Sequence, residues 1–309
     1  MSAPRPVPEQ FRRGPFTTAA FRAAGLSPAM LEGRRFRRVQ PRVWVWSEHR
    51  MSAADELEAA RLALPDHARM SHRTRLQALG LDAPAKPFHF TVAGDLHLDL
   101  PGVTLHRTKV LPPCDGVGVH PASAWVQECA SLTRLEAVAL GDWLLFGEHA
   151  DRETLVDSAR LHPWRPGARE ALQVVPDLDG RARSLPESHL RCRLMSAGLP
   201  RPEVNADVLV AWRRVAIADL LFREWGVAVE YEGRQHHSDA WQFARDVQRY
   251  ADLRAGGIEY VQVTAEMMRS PRAVVLAVYQ CLRRRGYDGP APVFGHKWAS
   301  WDERIRVGR

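Results

Sequence analysis

The sequence predicts an α/β protein in four segments: a winged helix-turn-helix over 1–50, a mixed α+β middle region over 51–180, an αβββαβ unit over 181–288 and a tail over 289–309. Three observations carry this expectation. At 309 residues the chain exceeds the roughly 100–200 of one domain. Two short helical runs stand close together near the N-terminus, ahead of an alternating Trp-Val stretch. The C-terminal third runs helix, three strand-like segments, helix, strand and helix, each bounded by turn or capping residues.

The first helix begins at the capping pair Thr17-Thr18, and Gly25 stops it as glycine does at a helix C-terminus. Ser27 and Pro28 then restart a helix, serine as N-cap and proline at the first helical position, which is expected to continue to Arg35. The runs 36–39 and 42–46 alternate about Gln40-Pro41 as the two strands of a wing. Arg34, Arg35, Arg37, Arg38 and Arg42 fall at the end of the second helix or on that wing, where a winged helix meets the phosphate backbone of DNA. A solvated arginine face would carry the same charges.

Basic residues outnumber acidic ones by 43 to 36, and all but Lys86, Lys109 and Lys297 are arginine. Arginine's planar fork suits phosphates and guanine edges, although a GC-rich genome produces the same bias. Cys114, Cys129, Cys192 and Cys281 lie too far apart for a zinc finger or a small disulfide scaffold and are expected to be reduced thiols. The N-terminal stretch is polar and proline-rich, without the apolar core of a signal peptide, and no run is long enough to cross a bilayer. The expectation is a cytoplasmic protein without a membrane partner.

The middle region shows a helical stretch over 53–64, short alternating runs over 88–92 and 103–106, and apolar helical patterns over 122–147 and 154–161. No chemistry is expected of it. His89, His97, His106 and His120 follow strands of open register and read as scattered histidines. The segments 163–167 and 177–184 look like linkers.

From Leu185 the pattern sharpens. A helix carries Glu187 in its first turn and apolar residues at Leu190, Leu194 and Met195, and Gly198 ends it. Strands are expected over 204–211, 215–221 and 227–231. Ser238 caps an amphipathic helix with Phe243, Val247, Tyr250 and Leu253 on one side, followed by a strand over 258–263 and a helix from Pro271 to about Arg285. Asp219 interrupts an apolar run, and Glu230 and Glu232, two residues apart, share one strand face. If the second and third strands form a hairpin, Asp219 pairs toward Glu230 and three carboxylates converge. Such a cluster, with Glu187 near it, is explained by a hard cation with oxygen ligands, Mg2+ (or Mn2+). His236 and His237 follow the third strand, and one of them can act as general base or general acid. Asp246, on the next helix, can align a histidine or an arginine.

In its early glutamate, its Asp219 and its Glu230-Tyr231-Glu232-Gly233 run followed by histidine, the segment from about 185 to 285 resembles the PD-(D/E)XK nuclease superfamily, in the branch similar to very-short-patch-repair endonucleases. The resemblance implies a restriction-endonuclease-like domain, phosphodiester hydrolysis, a catalytic metal on Asp219 and Glu230, and support from Glu187. Where that superfamily has lysine this chain has Glu232, and no lysine lies between Lys109 and Lys297. The branch tends to be acidic there, which moves the role of lysine to histidine or metal. Phe16-Thr17-Thr18, Leu26-Ser27-Pro28 and Trp44-Val45-Trp46 are similar to the winged helix of AbiEi-type antitoxins, which implies operator binding and a toxin partner. Two functions are therefore in view: a DNA endonuclease, possible as a homodimer if it cuts both strands, and an antitoxin-type transcriptional regulator with an inactive nuclease-like domain.

Overall fold

The computed structural model describes residues 6–210, 213–232, 251 and 253–306. The protein is α/β, with three small sheets among the described residues. Its internal contacts divide the chain into two compact units, 1–124 and 125–309.

In the first unit, β1 (Phe16–Thr17), α1 (Thr18–Ala23), β2 (Phe36–Gln40) and β3 (Val43–Trp46) surround an aromatic cluster of Phe11, Phe16, Phe21 and Phe36. Ring centroids there stand 4.8–5.6 Å apart, mostly edge to face, as aromatic quadrupoles prefer. Thr17 caps α1, its hydroxyl accepting from the Ala20 amide at 3.0 Å, and Gly25 follows the helix at φ +73°. The wing is an antiparallel pair with a bulge between Arg38 and Gln40, and β1 adds a third strand beside β3. The expected second helix is not an α-helix: Pro28–Glu32 is a 3-10 segment. Ser27 makes no side-chain cap bond, and Gly33 is extended at the other end, so nothing satisfies the terminal groups of a longer helix.

The rest of this unit is α2 (Ala53–Ala63), β4 (Arg69–Met70), α3 (His72–Gln77), β5 (Phe88–Ala93) and β6 (Val103–Thr108). β4 pairs antiparallel with β5, and β5 parallel with β6. Val43 of the wing is buried with Ala59, Ala60, Phe88 and Phe90, so the wing strand, α2 and β5 share one core. Two bonds fasten α3 to β5: the Ser71 amide donates to the His89 carbonyl at 3.0 Å, and the His89 amide donates to Thr74 Oγ1 at 2.8 Å.

The division between the units falls within α4 (Pro121–Cys129). The apolar pattern over 122–147 is two helices, because Thr133 caps α5 (Arg134–Phe146) with Glu136 returning the bond. α6 (Arg152–Leu161), α7 (Ala168–Val174) and α8 (Leu185–Ser196) follow. The segment 177–184 is packed rather than a loose linker. Leu178 and Ala182 are 1% exposed, and the Asp179 amide donates to Asp142 Oδ1 at 2.6 Å. The other Asp142 oxygen accepts from Ser188 Oγ at 2.7 Å and Arg191 Nη2 at 2.8 Å, joining α5 to α8 through a fully buried ion pair. Burial pushes the Asp142 carboxyl up, against the pull of Arg191.

β7 (Glu203–Val210), β8 (Arg213–Phe222), β9 (Val227–Glu232) and β10 (Glu259–Thr264) form a sheet in sequence order. β7, β8 and β9 are antiparallel neighbours, and β10 is parallel to β9. Leu190 and Leu194 of α8 and Val274, Val275, Val278 and Leu282 of α9 (Pro271–Arg284) are buried with Val204, Leu220, Val229 and Val263 of the four strands. Ala218, Leu221, Ala228 and Leu253 belong to a second, smaller cluster. α10 (His296–Ala299) and a 3-10 turn over Ser300–Asp302 follow. No helix among the described residues is long and apolar enough to cross a membrane.

Removing one partner of a buried pair leaves an uncompensated charge. Asp142→Ala is therefore expected to lower stability by about 3–5 kcal/mol in urea denaturation. A loss below about 1 kcal/mol, the size of an exposed pair, would refute the anchoring role.

Candidate functional site

The predicted carboxylates lie on the sheet of the second unit and at the start of α8. The β8–β9 ladder pairs Phe222 with Val227, Leu221 with Ala228 and Leu220 with Val229. One step further, Asp219 stands toward Glu230, the register expected of the hairpin, but the backbone ladder ends there. Asp219 Oδ2 instead accepts from the Tyr231 amide at 2.8 Å, so a side chain takes the place of a ladder bond. By strand alternation Asp219 and Glu230 share the face of Leu221 and Ala228. Glu230 is 9% exposed on an interior strand, and Tyr260 of β10 donates to its Oε2 at 3.4 Å. Glu232, half-buried at the end of β9, accepts from Gln262 Nε2.

Glu187 is engaged elsewhere. Its Oε1 accepts from Ser184 Oγ at 2.9 Å, and its Oε2 from the Arg183 amide at 2.9 Å and Asn205 Nδ2 at 2.8 Å. It thus closes the N-terminus of α8 and ties that helix to β7. Asn205 is a participant that residue type alone did not reveal. It lies between Val204 and Ala206, whose partners Leu220 and Ala218 flank Asp219, and its φ of +45° departs from the strand. Asparagine tolerates that region better than other residues with a side chain. Glu187, Asn205, Asp219 and Glu230 therefore fall on adjoining elements, α8, β7, β8 and β9. The four predicted carboxylates do not form a close cluster, since among the described residues no group of three or more carboxylates brings its ligand atoms within 4.8 Å. His236, His237 and Asp246 lie outside the described residues.

On the wing, Arg34, Arg37, Arg38 and Arg42 are exposed and Arg35 is half-buried. Arg37 Nη2 donates to the His49 carbonyl at 3.1 Å, and Arg42 turns the hairpin at φ +63°. The five-residue 3-10 segment before this hairpin carries none of these arginines.

A second constellation was not expected. His72, His89 and His106 bring one ring nitrogen each to within 4.8 Å of the others, the single such group of His, Cys, Asp or Glu among the described residues. His89 Nδ1 and His106 Nε2 are 3.0 Å apart, and the rings of His72 and His106 stack with centroids 3.7 Å apart and planes 17° apart. Burial first, then the neighbouring His106 and His89 rings, pushes His72 down to about 2, and burial with His89 pushes His106 down to about 4. Both rings are neutral at pH 7, with lone pairs available to a metal. The sequence signal that could have found them is slight: His89 and His106 each occupy the second or fourth position of a six-residue strand, and only the parallel register brings them to one face.

No family model matches the chain. Two uncharacterised proteins of Mycobacterium tuberculosis, from strains CDC 1551 and H37Rv, are each 27% identical to it over 241 residues, spanning 74% of this chain and 86% of the relative.

The histidine pKa values set a pH dependence. An unfolded chain binds protons on His72 and His106 near pH 6.5, which the fold refuses until about 2 at His72 and about 4 at His106. Stability is present above pH 6.5 and falls as pH drops from there toward about 4. Thermal melts of EDTA-treated protein should show a lower Tm at pH 5 than at pH 7.5, and a smaller drop in the double variant His72→Gln/His106→Gln. Equal drops in both would refute the assignment.

Proposed function

We propose that this chain is a metal-dependent endonuclease that hydrolyses phosphodiester bonds in DNA, with its reaction centre at Asp219 and Glu230. The observation that carries the reading is Glu230, 9% exposed on an interior strand, with Asp219 opposite it one step beyond the paired register. Two carboxylates there suit Mg2+ (or Mn2+), which takes one or two protein carboxylates and keeps water positions for a substrate phosphate. A cation bound there offsets charge on the phosphate and makes water more acidic. The mixed sheet in sequence order, preceded by α8 and ending in a parallel strand backed by α9, supports a restriction-endonuclease-like reading.

In this reading Asp219 and Glu230 hold the cation and Glu232 borders it. Glu187 positions: through Asn205 it holds β7 beside Asp219. His236 or His237 takes the proton of the attacking water or returns one to the leaving oxygen. The wing arginines grip the duplex backbone, fixing register rather than reading sequence. Cutting both strands with one centre per chain would call for a homodimer. The exposed arginines on a wing packed by its own aromatic cluster equally favour an antitoxin-type regulator, which would bind operator DNA and a toxin partner without cleavage.

Cleavage of labelled linear, mismatched and branched DNAs with Mg2+ or Mn2+, against EDTA, separates the two. The native protein is expected to cut only with metal, and Glu230→Ala and Asp219→Ala to lose at least about a hundredfold in rate while still shifting duplex DNA. Cutting that survives both substitutions would overturn the site, and salt-sensitive binding without any cutting would favour the regulator. Separately, Arg37→Ala/Arg38→Ala should weaken duplex binding and reduce the slope of log K against log salt by about 2, one unit for each lost phosphate contact. An unchanged slope would remove the wing from the DNA interface.

A further inference from the structure

His72, His89 and His106 come from three elements of the first unit, at the start of α3, early in β5 and late in β6. We propose that they form a site for a divalent transition-metal ion of the zinc class, bound through three imidazole nitrogens with a fourth position left to water or an exogenous donor. The inference goes beyond the nuclease reading and does not rest on it.

The geometry is close to what such an ion requires. With bonds of about 2.0–2.1 Å, tetrahedral zinc holds neighbouring ligand atoms about 3.3 Å apart. His89 Nδ1 and His106 Nε2 stand at 3.0 Å, a few tenths of an ångström short of that, and the nearly parallel rings turn about their side-chain torsions to aim three lone pairs at one ion. In the metal-free protein one nitrogen of that pair donates its hydrogen to the other. Moving that hydrogen to the far nitrogen of the donor ring frees both lone pairs without net proton release. The backbone fixes the pair. The parallel register sets His89 against Thr104 and His106 against Thr91, which puts both imidazoles on one face two residues apart along the strands.

The third ligand is held at a conformational cost. His72 has φ +50°, and a residue with a side chain in that region costs of order 1–3 kcal/mol. That conformation brings its ring onto His106. Ser71, fully buried, has its Oγ 3.0 Å from His72 Nδ1. A hydroxyl that accepts the Nδ1 hydrogen leaves Nε2 as the ligand atom, as outer partners orient metal-binding histidines. All three residues are half-buried, so solvent reaches the cluster and a metal can enter. A donor set of imidazoles selects zinc, cobalt, nickel or copper over Mg2+ or Ca2+, which take oxygen ligands.

The test is a Co2+ titration of EDTA-treated full-length protein, followed by visible absorption, on the native chain and on Glu230→Ala, which removes a carboxylate of the other proposed site. One equivalent is expected to produce the intense bands of tetrahedral cobalt in both proteins, and Zn2+ to bleach them. His89→Gln and His106→Gln should each weaken binding by at least about a hundredfold, while His97→Gln, an exposed histidine outside the group, leaves it unchanged. X-ray absorption on the native zinc-loaded protein, which needs no variant to fold, should count three imidazoles. Absence of the bands, binding that survives both substitutions, or fewer than three imidazoles would each overturn the proposal.

Discussion

A carboxylate sealed from water must be neutralised where it stands, and the second unit is organised around one at Asp142. Its donors come from three places: the backbone of Asp179, the hydroxyl of Ser188 and the guanidinium of Arg191. Satisfying that one side chain holds the turn after α7 and the whole of α8 against α5. α8 in turn carries Glu187 at its first turn and lays Leu190 and Leu194 into the core of the sheet. The sheet that carries the carboxylates of β8 and β9 is thus covered by a helix that the Asp142–Arg191 pair holds in place. Desolvation makes such a pair a weak source of net stability, although removal of either partner would strand the charge of the other.

Much of the second unit was legible in the sequence because its signals are local. The spacing of Leu190, Leu194 and Met195 before Gly198 announces α8, and runs such as Val227-Ala228-Val229 announce strands that the structure bears out over Val227–Glu232. The step from Asp219 to Glu230 could be counted from the turn at 223–226, because a hairpin's register follows from its loop. What failed were inferences that needed tertiary information. Pro28 is as compatible with a 3-10 segment as with an α-helix, and only the absence of a Ser27 cap decides. Glu187 was legible as an acid of the first turn but not as the partner of Asn205, which depends on where β7 lies. The three histidines were invisible as a set. Their convergence needs a parallel pairing between strands ten residues apart and a backbone angle at His72 that no local pattern encodes.

The two constellations offer different donors. Asp219 and Glu230 present charged oxygens on strands of the second unit, whereas the histidines present neutral nitrogens in the first. Hard ions that keep their water suit the former, and borderline ions that accept imidazole suit the latter. The two donor sets therefore favour different ions by their chemistry. The four buried or exposed thiols contribute to neither: Cys192, for one, is pushed up to about 12 by burial.

The left-handed backbone at His72 has an implication for how this sequence changes over time. Glycine would occupy φ +50° without strain and asparagine with little, so replacement by either would relieve the backbone while deleting the ring. A histidine kept there is a standing trade of folding free energy for a side chain. Among diverging copies of this protein, the residue at position 72 should therefore report whether the histidine cluster is under selection: drift toward glycine marks a lineage that has released it.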